Sequence, residues 1–245
     1  MLQHDRYTKI KEYLIGNKAA STAALAEHLG VSTVTIRKDL DSLEQSGIVK
    51  RTHGGAQSLD GNNQPPNFNS RVTRNTAAKR KIAQSAAVFL RDNQCIMLDS
   101  SSTAGYLLPH ISKHKNITLF TNNMITALNA VNYGIPTYCS GGFAHKNSPV
   151  LASEDTYKAL SGIHPDILFF SSFCIDSVGN ITDPTAAETY AREIMLKNSA
   201  EKIFLCDSEK FNRRSTYTLT SADDIDACVF DAEYSALKCK CRIIV

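Results

Sequence analysis

The chain has 245 residues, of which 42% are hydrophobic and 21% charged, with a net charge of +3. That length is comfortable for two domains, one of them small, and the composition excludes a wholly disordered chain. No run approaches the ~18 apolar residues that a membrane helix needs, so no membrane partner is expected.

The charge is unevenly placed. Residues 1–81 hold 13 Lys and Arg against 7 Asp and Glu, a net of +6, whereas residues 82–245 net −3. A polyanion partner is therefore expected for the first part only. The start, MLQHDRYTKIKEYL, is amphipathic and lacks the apolar core of a secretory signal, which leads to the expectation of a cytoplasmic protein. Seven cysteines, at 95, 139, 174, 206, 228, 239 and 241, include no C-x-x-C pair and lie mostly in apolar runs. Small buried thiols are expected, with no disulfide, metal or cofactor.

Three helices are legible before residue 47. Ile10, Tyr13 and Leu14 line one face of the first. Ser21 or Thr22 starts the second, which carries Leu25, Ala26 and Leu29 and stops at Gly30, a residue suited to the positive φ of a helix C-cap. Ser32 is a good N-cap for the third, whose buried stripe is Ile36, Leu40 and Leu43, and Gly47 ends it. Thr33, Thr35, Arg37, Lys38 and Asp41 lie off that stripe and face solvent or a ligand. Hydroxyls near a helix N-terminus suit phosphates or base edges, and Arg37 and Lys38 can neutralise phosphates. The stretch Ile48–Ala56 reads as a hairpin with glycines at its tip and the basic residues Arg51 and His53, a wing able to press on a DNA backbone. An ordinary helical bundle with a solvated charged face is the blander alternative. The order helix, turn, helix, basic hairpin favours a winged helix-turn-helix over residues 1–58.

Residues Arg6, Ile10 and Leu14, then Ser32-Thr33-Val34-Thr35-Ile36-Arg37-Lys38-Asp39-Leu40, then Leu43, Gly47 and Arg51-x-His53-Gly54-Gly55, resemble the signature of the DeoR family of bacterial transcriptional regulators. The resemblance implies that the second and third helices form the helix-turn-helix, at about residues 20–39, and that Ser32, Thr33, Thr35, Arg37, Lys38, Arg51 and His53 serve double-stranded operator DNA. It also implies that Arg37 and Asp39 act partly as a structural ion pair or cap.

Residues 59–67, LDGNNQPPN, are polar with two prolines and fit an exposed linker, here placed at 59–75. From residue 76 to 245, helical stretches alternate with seven apolar runs: 95–98, 117–120, 135–139, 167–170, 203–206, 228–230 and 243–245. Continuous apolar strands with helical crossovers indicate an α/β domain with a mainly parallel sheet, whose ligands gather at the carboxyl ends of the strands. Small polar residues follow the runs. Asp99-Ser100-Ser101-Ser102-Thr103 leads into a helix expected from Ala104, a place suited to an anion. Then come Thr121-Asn122-Asn123, and Ser140-Gly141-Gly142, where the backbone can approach a ligand closely. Ser171-Ser172 with Asp176 beyond, and Asp207-Ser208-Glu209-Lys210-Phe211, complete the set. Such a rim suits a polyhydroxylated compound carrying a phosphate, although each residue alone is an ordinary turn former.

The resemblance extends through this body by way of Phe68, Arg71, Lys79, Leu98-Asp99-x-x-Ser102-Thr103, Thr121-Asn122, Ser140-Gly141-Gly142, Asp176, Glu188, Arg192, Met195 and Asp207-Ser208-x-Lys210-Phe211. It implies a fold similar to ribose-5-phosphate isomerase and a phosphorylated sugar or sugar-alcohol effector. On that basis Ser100, Ser102, Thr103 and Lys210 would hold phosphate, while Asp99, Thr121, Asn122, Asp176 and Glu188 would reach sugar hydroxyls. The chain departs from the family pattern at Ser101 and at Ser172 or Phe173, where glycine is usual. Lys146 is the nearest substitute for an arginine often found after the double glycine. The function expected is a repressor of a carbohydrate operon, working as a homo-oligomer. An enzyme using Asp176, Glu188 and Lys210 as acid–base groups is the competing class, but no complete catalytic constellation is legible and an isomerase has no need of residues 1–58. An interaction module with a degenerate pocket is the third reading.

Overall fold

The computed structural model describes residues 3–17, 19–45, 49–58, 68–145 and 148–245. The chain forms two compact units, Met1–Arg71 and Val72–Val245. Gly47, the expected linker at 59–67 and Lys146 lie outside the described residues.

In the first unit, helices α1 (Gln3–Asn17), α2 (Thr22–Leu29) and α3 (Thr33–Gln45) combine with strands β1 (Ala19–Ser21), β2 (Val49–Thr52) and β3 (Gly55–Ser58). Ser21 caps α2 by accepting from the Ala24 N–H at 3.1 Å, and Gly30 ends it at φ 64°. The apolar stripes meet in one core of Ile10, Leu14, Leu25, Leu29, Ile36, Leu40 and Leu43. The expected hairpin β2–β3 forms, with Thr52 opposite Gly55. The strand order β1-β3-β2 adds a partner that the sequence did not suggest. Gly55 is required there, because a β-carbon would collide with the Ala20 carbonyl oxygen of β1.

The second unit contains α5 (Thr76–Ala86), β4 (Cys95–Leu98), α6 (Leu108–Ile111), β5 (Thr118–Thr121), α7 (Met124–Asn132), β6 (Thr137–Cys139), α8 (Glu154–Ser161), β7 (Ile167–Phe170), β8 (Cys174–Ile175), β9 (Asn180–Asp183), α9 (Ala186–Asn198), β10 (Glu201–Cys206), β11 (Tyr217–Ser221), β12 (Ala227–Phe230) and β13 (Arg242–Ile244). The short helix α4 (Phe68–Thr73) falls at the division between the units. Each of the seven apolar runs became a strand of one sheet, ordered β13-β12-β10-β7-β4-β5-β6. Every pairing in that sheet is parallel. Both faces are covered: Ile96, Leu98, Leu119, Phe169 and Leu205 pack in one layer, and Met97, Leu168, Phe170 and Phe204 in the other. This two-sided burial is why the strands read as unbroken apolar runs. β8, β9 and β11 form a separate antiparallel sheet that the sequence did not reveal, since they are short and mixed in polarity.

Two expectations are corrected. The helix expected from Ala104 is a single 3-10 turn, Ala104–Leu107, followed by the one-turn α6, so its dipole contributes little to any anion site. Nor are all the thiols buried: Cys139 is exposed, because β6 is an edge strand.

Candidate functional site

On the first unit, the side of α3 opposite its apolar stripe presents Val34, Arg37, Lys38 and Asp41, spaced i, i+3, i+4, i+7 and all exposed. Thr33 is exposed beside them. Thr35 is half-buried, with its hydroxyl 2.9 Å from the Ser32 Oγ, which also accepts the Thr35 N–H at 3.1 Å. Ser32 is therefore occupied as the helix cap. The Arg51 N–H donates to Glu44 Oε1 at 2.7 Å, and its guanidinium lies 3.3 Å from Asp41, docking the wing on α3. His53 is exposed at the hairpin turn, where Gly54 takes φ 89°. The expected Arg37–Asp39 pairing is replaced by another. Asp39, 1% exposed, receives Arg6 Nε at 2.7 Å and Arg6 Nη2 at 3.0 Å, which leaves Arg37 on the outer face. Val34, 58% exposed, was not singled out from the sequence, although a helical wheel places it opposite Ile36 and Leu40. An apolar side chain between two cations suits a thymine methyl beside phosphates.

On the second unit, Arg192 of α9, a side chain 3% exposed, lies against the carboxyl end of β4, where Asp99 also takes the N–H of Ser171 that follows β7. Its Nε donates to Asp99 at 2.7 Å, its Nη1 to Asp183 at 2.8 Å, and its Nη2 to Glu188 at 3.1 Å and Ser100 Oγ at 3.3 Å. Burial works against that charge, but Asp183, Asp99 and Glu188 outweigh it and raise the guanidinium pKa above its ordinary value. Asp99 also accepts the N–H groups of Ser101 and Ser171, and Asp183 accepts the Ser172 hydroxyl and the Phe173 N–H. Both carboxylates are thus occupied in shaping loops around Arg192. Asp183 carried no sequence signal, because its partner lies on another element.

Two lysines flank this cluster. Lys210 Nζ donates to Ser171 Oγ and to the Ser172 carbonyl, each at 2.9 Å, and lies 3.7 Å from Asp207. Lys79, buried in α5, donates to Ser102 Oγ at 3.2 Å. Burial raises the Asp207 carboxyl, yet Lys210, the Asn75 hydrogen bond, Lys79 and Arg74 outweigh it and hold it below the ordinary carboxylate range.

Within this rim two buried polar atoms have no partner among the described residues: Thr103 Oγ1 and Asn122 Oδ1. The Asn122 amide is fixed by its Nδ2 donating to the Leu151 carbonyl at 2.9 Å, and this leaves Oδ1 facing away from that partner. Asn123 ties the loops together, donating to the Ser100 carbonyl at 3.1 Å while its Oδ1 caps α7. A buried unsatisfied oxygen costs about 1–3 kcal/mol, so two of them in one set of strand-end loops are a feature that folding alone does not favour.

Other expected residues sit differently. Thr121 Oγ1 accepts the Asn123 N–H at 3.2 Å. Asp176 is committed to its own turn, taking the N–H groups of Val178 and Asn180 and the Asn180 side-chain amide. Gly141, at φ 70° and exposed, offers its carbonyl to Thr156 Oγ1 at 2.8 Å. Glu188, half-buried, uses Oε2 on Arg192. Thr185, just before α9, adds a further buried hydroxyl without a partner among the described residues.

The model of the DeoR-like helix-turn-helix domain matches residues 6–62, and that of the DeoR C-terminal sensor domain matches residues 74–232. The HTH-type transcriptional regulator GolR of Listeria innocua is 33% identical over 232 residues, covering 94% of this chain and 91% of its own. The L-fucose operon activator of Escherichia coli is 31% identical, covering 92% of this chain and 94% of its own. Among solved structures, ribose 5-phosphate isomerase A of Methanocaldococcus jannaschii superposes with a TM-score of 0.41 at 18% identity, covering 56% of this chain and 55% of that one.

Proposed function

The chain belongs to the DeoR family of transcriptional regulators, a DNA-binding regulator and not an enzyme, and from that premise we propose that it represses a carbohydrate operon and is released by a phosphorylated sugar. The observation that supports the effector half is that two buried oxygens of the strand-end loops, Thr103 Oγ1 and Asn122 Oδ1, have no partner among the described residues, while Lys79 is bonded to Ser102, the neighbour of Thr103 in the chain. Thr103, Ser102, Ser100 and Lys210 hold the phosphate, and Lys79 adds a second cation. Asn122 accepts from a sugar hydroxyl, and Glu188 has one carboxylate oxygen available for another. Asp99 acts through Arg192 as a positioning residue.

The DNA half rests on α3. Arg37 and Lys38 meet phosphates or base edges, with Thr33, Val34 and Thr35 against the bases and His53 of the wing on the backbone. A regulator of this kind reads two half-sites, so it works as a homo-oligomer. The effector shifts the equilibrium only by binding the DNA-incompetent arrangement more tightly.

The test is a thermal-unfolding screen of the purified chain against sugar phosphates and the parent sugars. A true effector at 100 times its Kd adds ~2.7 kcal/mol of stability, and its dephosphorylated form does not. The same compound should release an operator fragment. If no phosphorylated sugar or sugar alcohol raises the midpoint, the effector assignment falls. A reporter assay in a deletion strain decides the sign: expression should rise, and a fall would make the protein an activator.

A further inference from the structure

No Asp, Glu, Lys or Arg occurs between Lys115 and Lys146, in a chain where 21% of residues are charged. That stretch is not interior. It supplies β5, α7 and the edge strand β6, and it carries much of the exposed apolar surface. On α7, Thr126 and Ala130 face the sheet, while Met124, Leu128 (62% exposed) and Val131, at i, i+4, i+7, form an outer stripe with no charge on it. Across the sheet edge, Tyr138 of β6 is 64% exposed and stacks on Phe120 at 5.0 Å between ring centres. Beside it lies a cavity of about 150 Å³ whose lining includes Cys139, Ala159, Leu160 and Ile163.

Among the described residues, β6 pairs only with β5. Leu119 N–H donates to the Pro136 carbonyl and Ser140 N–H to the Thr121 carbonyl, so the backbone groups of Thr137 and Cys139, which alternate with these, point away from β5. An unpaired edge flanked by apolar side chains on both faces is a template for another strand. Elsewhere a soluble fold blunts such an edge with charge; this one carries none.

We infer that β6 and the outer stripe of α7 form the interface between two copies of this chain, joined edge to edge about a two-fold axis at Tyr138. A surface without charge meets its own copy with no like-charge repulsion, and gives a nucleic acid or an acidic headgroup nothing to hold. The edge is also self-complementary. With the axis at Tyr138, Thr137 of each copy exchanges both backbone hydrogen bonds with Cys139 of the other, and the α7 stripes pack together on one face. The cavity next to Tyr138 leaves room for an apolar side chain of the second copy. The inference rests on the homo-oligomer reading above and on nothing in the effector site.

Sedimentation equilibrium of the full chain at micromolar concentration tests it. The parent should have at least twice the 26.9 kDa chain mass. Leu128→Glu with Val131→Glu should halve the observed mass, with unchanged circular dichroism, since both positions are exposed. Tyr138→Cys in a Cys139→Ser background should give a disulfide-linked dimer on mild oxidation, because facing residues of a non-hydrogen-bonded antiparallel pair stand ~4.5 Å apart at Cα. The exposed control Val88→Cys should not cross-link. An oligomer whose mass ignores the α7 change overturns this surface and leaves the homo-oligomer standing; a monomeric parent overturns both. Dissociation by the α7 change without cross-linking at 138 overturns the axis.

Discussion

The two units handle cations in opposite ways. On α3, Arg37 and Lys38 stand in solvent, while in the second unit Arg192 and Lys79 are buried and already paired. Solvated cations are suited to a long polyanion, whose binding is driven by counterion release and fades with salt. Buried, prepaired cations are suited to one small ligand, because folding has already met their desolvation cost and salt screens them little. Charge count would not distinguish the two surfaces; burial does.

Arg192→Met should break this contrast most severely. It strands Asp99 and Asp183 without their cation and should cost about 3–5 kcal/mol, read as a collapse of the second unit's unfolding transition. A small loss would show that water reaches the cluster. Lys210→Ala and Thr103→Val come next. Each should weaken effector binding ~10-fold or more and leave operator binding intact; induction that survives both changes would remove the phosphate from this loop. Arg37→Ala and Lys38→Ala should do the reverse. Operator affinity should fall about tenfold, with the salt slope reduced by ~1 for each phosphate no longer neutralised and effector binding unchanged. An unaltered slope would take α3 off the backbone.

The Asp207 carboxyl allows a pH test of the buried side. Its folded pKa is lowered, so its contribution to stability is present above the unfolded Asp value of ~3.9 and lost as pH falls through the folded value. Asp207→Asn should therefore be less stable than the parent at pH 7, with the gap closing on acidification; a constant gap would mean that the charge is irrelevant. The smallest effect is expected at Ser32→Ala, about 1 kcal/mol off the first unit's stability through loss of the α3 cap. Operator binding should weaken only as far as the helix frays.

Elements with a local signature were legible in the chain. The stripe Ile36, Leu40, Leu43, the caps at Ser21 and Gly30 and the seven apolar runs are each set by neighbours within a few residues. The two-residue β8 and the polar β9 have no such signature, and their pairing is set by the sheet they join. The rim of small polar residues was likewise visible, but the work of each was not. Asp176, read as a ligand group, also holds its own turn, while Asp183 passed unnoticed and holds Arg192.

The amino-acid order alone therefore determined the family, the winged helix and the parallel sheet, since these follow from hydrophobic period and turn chemistry along short stretches. Which charges are already paired and which are available was decided only in three dimensions. Arg6 reaches Asp39 across 33 positions and Arg192 reaches Asp99 across 93, and partners so far apart leave no periodic trace in the chain. Such pairs form where packing brings two elements together and leaves an ion no water to keep.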